Sequence, residues 1–217
     1  MSRVEAIVSD FGGVLTTPLL DAFLGLQEQR GIPLEAFGAA LVRAAADDRG
    51  LNPLFELETG RLSEAAFVAK LGAALQTELG RDVDLARFGE TFFEHLRPNN
   101  EMFAFMRTLH ERGYRMAILT NNVREWEPLW RSMLPIDELF ELVVDSGFEG
   151  VRKPDARIYE VTLDRLGVAP EAALFIDDTE VNCDAARELG MQAVWFRSNA
   201  QAIGEIEATL AAAATAD

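Results

Sequence analysis

The sequence predicts an α/β protein, an open parallel sheet with a helical insert after its first strand. Three observations lead there. Five short apolar runs lack the in-out alternation of a half-exposed strand, the pattern of strands covered on both faces. Through the second half of the chain, the segments between those runs have helical length and spacing, so strand and helix alternate. Residues from about 18 to 96 hold amphipathic stretches and no convincing strand.

The first strand is read over 4–9. In the insert that follows, Phe67, Leu71, Leu75 and Leu79 recur on one helical face behind a candidate cap, Ser63, and Gly31, Gly50 and Gly80 punctuate the helices. The other strands are read over 114–119, 142–144, 173–176 and 193–196. Gly113, Gly167 and Gly190 each follow a helical stretch and permit a left-handed cap before the next strand. The Ala-rich tail after Leu210 is expected to fray. The chain thus divides into a sheet domain, 1–15 and 97–217, and a helical insert, 16–96, with junctions at 16–18 and 96–98 expected to lie side by side and to act as hinges.

With 217 residues and 49% apolar content, the chain can fill a sizeable core. Its formal charge of -16 repels polyanions, which excludes nucleic acid and anionic membrane surfaces as partners. A small anion stays possible, because a few cations or a metal dominate the field within one cleft. No apolar stretch approaches the ~18 residues of a membrane span, and the amino terminus lacks a basic segment leading into an apolar core, so a cytoplasmic location is expected. The single Cys183 cannot form an internal disulfide and reads as a small core residue.

In an open parallel sheet, ligands bind outside the carboxyl ends of the strands. Four polar groups stand there: Asp10 with Gly12 and Gly13, Thr120 with Asn121, Lys153 ahead of Pro154 and Asp155, and Asp177 with Asp178. Each alone has a bland explanation as a turn former, a helix cap or a solvated charge. Together they supply a carboxylate, a hydroxyl with an amide, an ammonium and an acidic pair, which are the parts of a phosphoryl-transfer site.

The stretches IVSDFGGVLTTP, MAILTNN, GVRKPDARIYE and LFIDDTEVNCDAARELGM, in this order and spacing, resemble the four motifs of the haloacid dehalogenase superfamily, and ELETGRLSEAAF resembles its helical cap of the first type. Within the superfamily, the chain is most similar to the sugar-1-phosphate phosphatases and the amino-terminal phosphatase domain of soluble epoxide hydrolases. The resemblance implies a Rossmann-like fold with a cap at 16–96. It further implies a magnesium-dependent phosphatase acting on a small phosphorylated metabolite. Asp10 would be the nucleophile that forms an aspartyl phosphate, Thr120 and the amide of Asn121 would bind phosphoryl oxygens, and Lys153 would neutralise the transition state. Mg2+ would take Asp10, the Gly12 carbonyl and Asp178, with Asp177 and Asn182 holding its waters or orienting Lys153.

One position departs from the family pattern. The second aspartate that its phosphatases usually carry two residues after the nucleophile is Gly12 here, which removes the acid that protonates the leaving group. Gly12 also keeps two alternatives in view, a dehalogenase and a catalytically inactive binding protein. The acidic pair at 177–178 weighs against the first, because without a cation it would repel Asp10. Elsewhere, His95 and His110 read as solvated or partly packed, and Trp126 and Trp130 as helix packing, with substrate contact the minority reading. Arg43, Arg49 and Phe55 are insert residues placed to face the cleft if the fold brings them there.

Overall fold

The computed structural model describes residues 3–48 and 50–214. Strand β1 (Ala6–Ser9) leads into five helices, α1 (Leu19–Arg30), α2 (Leu34–Asp47), α3 (Pro53–Glu58), α4 (Glu64–Leu79) and α5 (Phe88–Glu94). The chain then runs through α6 (Asn100–Glu111), β2 (Arg115–Thr120), α7 (Glu127–Arg131), β3 (Leu142–Asp145), α8 (Ser146–Glu149) and α9 (Ala156–Leu166). It finishes with β4 (Ala173–Asp177), α10 (Glu180–Glu188), β5 (Gln192–Trp195) and α11 (Asn199–Ala214).

The strands form one parallel sheet in the order β3-β2-β1-β4-β5. Ala6 of β1 is in register with Arg115 on one side and Ala173 on the other. The order reverses between β1 and β4, so the crevice at their carboxyl ends is the topological switch point of this Rossmann-like sheet. Both faces are covered, which explains the continuous apolar runs. Ile7, Ile118 and Leu174 pack with Met102 and Met106 of α6 and Ile206 of α11, whereas Val8, Leu119 and Phe175 pack with Ile158 and Leu163 of α9 and Ala186 of α10.

The insert carries a third apolar cluster, in which Leu26, Phe37, Phe67, Leu71, Leu75 and Phe92 meet Val123 and Trp126 from the segment after β2. Helix α4 begins where the Ser63 hydroxyl accepts the Ala66 N–H at 3.3 Å and ends at Gly80 in the left-handed conformation. The two connections to the sheet touch. Thr16 pairs antiparallel with Pro98, the Thr17 N–H donates to the Arg97 carbonyl and the Asn99 N–H to the Leu15 carbonyl, both at 2.8 Å.

Two expectations need correcting. Thr120 and Asp177 close their strands instead of following them, because their backbones remain in register with Asp145 and Trp195. The tail from 211 to 214 does not fray: α11 continues to Ala214, with Ala213 buried in the sheet's core cluster. Among the described residues, no helix is long and apolar enough to cross a membrane.

Candidate active site

The end of β1 delivers Asp10 into the switch-point crevice, where its Oδ1 accepts the Phe11 N–H at 2.7 Å. The Lys153 ammonium, 1% exposed, lies 2.9 Å from that same oxygen. It also donates to Asp177 Oδ2 at 2.6 Å and to the Leu119 carbonyl at 2.8 Å. A lysine ammonium has three N–H donors, so these three acceptors use all of them and fix its position. Asp177 is equally committed: its Oδ1 accepts the Thr179 N–H at 2.8 Å and the Asn182 amide at 3.0 Å. Asn121 contributes its side chain to the scaffold, accepting the Lys153 N–H at 2.8 Å and donating to the Lys153 carbonyl at 3.1 Å. Thr120 is buried beside it and lines the same cavity.

Asp178, just beyond β4, offers a carboxylate oxygen that lies, with one each from Asp10 and Asp177, within 4.8 Å of one another. Its approach depends on Gly13. That residue has φ +76°, and a Cβ placed on it would sit 2.1 Å from Asp178 Oδ2. Gly12 is different: a Cβ there would meet only the flexible end of Leu19, 3.1 Å away.

The charges show what the site could hold. Three carboxylates share one ammonium in a nearly buried space. Burial pushes the Asp10 carboxyl up, Lys153 pulls it back, and Asp177 and Asp178 add to the rise, leaving it at about 8. Burial and the neighbouring Asp177 likewise hold Asp178 above the usual carboxylate range. Burial alone would lower Lys153, but Asp10 and Asp177 outweigh it and raise it. A divalent cation would relieve this excess. With Asp177 saturated by Lys153, Thr179 and Asn182, the oxygens of Asp10 and Asp178 and the nearby backbone carbonyls are the hard donors that could hold it, and they suit magnesium.

These residues open into a cavity of about 490 Å³ whose lining runs from Asp10 and Lys153 to the aromatic rings of the insert. Here sequence reasoning missed most. Phe23, Phe37, Phe67, Phe88 and Phe92 line it, and so does Trp126, which also packs on Phe92 at 5.5 Å between centroids. The spacing of these residues signals only a helix face, not what the face meets. The half-buried pair Glu58–Arg152, 2.7 Å apart, and the Gly13 close approach carried no recognisable signal beyond the tandem glycine. Phe55 does line the cavity, with the Arg152 guanidinium 4.0 Å above its ring. Arg43 instead pairs with Glu78 at 2.6 Å, both partly exposed, and Arg49 lies outside the described residues. Trp130 packs on Phe11, and Cys183 is buried with its thiol pushed up to about 12 by burial.

Comparison with known proteins bears on this geometry. Glyceraldehyde 3-phosphate phosphatase of Pyrococcus abyssi is 37% identical over 112 residues, 46% of this chain and 46% of that protein. Bifunctional epoxide hydrolase 2 of mouse is 25% identical over 220 residues, 94% of this chain and 38% of that protein. The chain therefore spans under half the length of these curated relatives. Among solved structures, a haloacid dehalogenase family enzyme of Bacteroides thetaiotaomicron in complex with magnesium and inorganic phosphate superposes with a TM-score of 0.64 at 22% identity, over 89% of this chain and 94% of that one. The L-2-haloacid dehalogenase of Xanthobacter autotrophicus gives 0.61 at 18% identity, over 88% and 76%. Both likenesses establish the fold. The family described as haloacid dehalogenase-like hydrolase matches residues 4–190, from the first strand past the acidic pair at the end of the fourth, and the chain belongs to it.

Proposed function

We propose that this protein is a magnesium-dependent phosphatase that cleaves a small-molecule phosphate monoester through an aspartyl phosphate on Asp10. The observation that carries the reading is the Lys153 ammonium, held at 2.9 Å from Asp10 and 2.6 Å from Asp177. Such a fixed cation beside a carboxylate stabilises charge that develops there, at no reorganisation cost during the reaction. Oδ1 of Asp10 is held by Lys153 and the Phe11 N–H, which leaves its other oxygen for the in-line attack on phosphorus. Thr120 and the backbone N–H of Asn121 are assigned to the phosphoryl oxygens. Asp177 and Asn182 position Lys153.

Asp10, the Gly12 carbonyl and Asp178 would hold magnesium, which when bound supplies charge neutralisation at the phosphoryl oxygens. Support comes from relatives named as phosphatases and from the magnesium and phosphate in the Bacteroides enzyme of the same fold. A dehalogenase would need neither Asp178 nor the Gly13 close approach that admits it. Residues 16–96 are assigned as a cap that moves against the sheet domain, 1–15 and 97–217, about the paired junctions at Thr16 and Pro98.

The test is turnover of 4-nitrophenyl phosphate with magnesium present. Chelation should abolish it, and Asp10→Asn should lower kcat by about 10⁴-fold or more, with no phosphate on the acid-quenched protein. Undiminished turnover in chelator, or in Asp10→Asn, would refute the mechanism.

A further inference from the structure

We infer that the substrate is an aryl phosphate monoester, whose alcohol portion is an apolar phenol seated among the aromatic rings of the insert; this rests on the phosphatase reading above. The first ground is the lining. Phe23, Phe37, Phe67, Phe88, Phe92 and Trp126 border the same cavity as Asp10. Neighbouring rings lie 5.2 Å (Phe23–Phe92), 5.8 Å (Phe67–Phe88) and 5.5 Å (Phe92–Trp126) apart between centroids, so they form a continuous aromatic wall of the kind that attracts another ring.

The second ground is that several polar side chains around the cavity are already engaged, which leaves the aromatic rings as the larger part of the wall away from Asp10. Thr16 accepts the Gly13 N–H and donates to the Thr17 carbonyl, Asn122 accepts the Val123 N–H, and Glu58 is paired with Arg152. Sugar hydroxyls placed against the aromatic rings would give up water without replacement, at a cost of about tenfold in affinity for each. The sugar 1-phosphates suggested by the sequence therefore fit this cavity poorly.

The third ground is the leaving group. No acid stands at Gly12, where the neighbouring side chain is the aliphatic Leu19. The P–O bond to the alcohol then breaks with the electron pair staying on an unprotonated oxygen, while phosphorus bonds to Asp10. A phenol, with an acidity like that of tyrosine at about 10, bears that charge far better than an aliphatic hydroxyl.

The experiment compares kcat/KM with magnesium for 1-naphthyl phosphate (apolar, acidic alcohol), octyl phosphate (apolar, weakly acidic), α-glucose 1-phosphate (polar, anomeric) and glycerol 2-phosphate (polar, weakly acidic). Equilibrium binding of 1-naphthyl phosphate and glucose 1-phosphate to Asp10→Asn is measured alongside by calorimetry. Naphthyl phosphate should lead glucose 1-phosphate and octyl phosphate by about 100-fold or more in kcat/KM, and should bind at least about tenfold tighter than the sugar ester. Glucose 1-phosphate within tenfold of naphthyl phosphate would overturn the inference and leave the phosphatase reading standing. Octyl phosphate matching naphthyl phosphate would also overturn it, by showing that a protein acid such as Glu58, which lines the cavity, protonates the leaving oxygen. Preferential binding without hydrolysis of any ester would sink the phosphatase reading and retain the aromatic site. Neither binding nor hydrolysis would remove both.

Discussion

At the floor of the cavity, Lys153 comes from the loop between α8 and α9 and Asp177 from the end of β4, and every polar atom of their head groups is committed to a named partner. The opposite wall is made of rings from α1, α2, α4 and α5 that touch one another without directional bonds. Hydrogen-bonded charge tolerates little displacement, since a partner removed leaves a buried group unpaired. Ring packing is non-directional and degrades by degrees. On the proposed function, the chemistry falls in the part of the molecule where geometry is over-determined, and choice of ligand in the part where shape can drift.

That contrast is easiest to break at Asp177. Asp177→Asn keeps the shape but removes one of the two carboxylates that fix Lys153. We expect kcat to fall about 100-fold or more with little change in KM, and a loss of about 3 kcal/mol in stability by denaturant titration. A rate near that of the parent protein would mean the floor is not over-determined.

Gly13→Ala should come next. Its Cβ would meet Asp178 Oδ2 at 2.1 Å in a backbone region that side chains disfavour, so Asp178 must move. Magnesium affinity, followed by calorimetric titration, should drop roughly 10- to 100-fold with the fold retained. Unchanged affinity would detach Asp178 from the metal site.

The smallest effect concerns the floor without a cation. Asp10, raised from 3.8 to about 8, binds its proton more tightly in the folded state than in the unfolded one. Its contribution to stability is therefore present at low pH and is lost as pH rises from about 4 to about 8. In chelator, the melting temperature at pH 8 should fall below that at pH 5 by several degrees more than it does in Asp10→Asn, and magnesium should abolish the difference. Equal pH dependence in the two proteins would show that Asp10 is not the strained group.

These expectations depend unequally on what could be read before the fold was known. Asp10 and Asp178 were legible because each follows an apolar run and a parallel sheet sends strand ends to one edge, and Lys153 because it stands just ahead of a helix that follows the third strand. Their pairing was implied only by the family resemblance: nothing local distinguishes Asp177, whose oxygens are spent on Lys153, Thr179 and Asn182, from Asp178, whose approach relies on a glycine some 165 positions earlier. The aromatic wall was hidden for a related reason. Phe67 and Leu71 share a helical face, yet both are buried, and only tertiary packing decides that Phe67 borders a cavity while Leu71 meets solid core.

The contact between Thr16 and Pro98 has a bearing on how the chain finds its fold. Pairing Ala6 with Arg115 demands closure of a very long loop, whose entropy opposes the central strand pair. The intervening helices pack on one another, α2 with α4 and α1 with α5 above all, at separations shorter than that from β1 to β2. Once they are assembled, the two ends of the segment emerge together, and the search that β1 must make for β2 shrinks to a short one. A tight neck between insert and sheet thus lets the longest-range step of the parallel sheet follow from shorter-range ones.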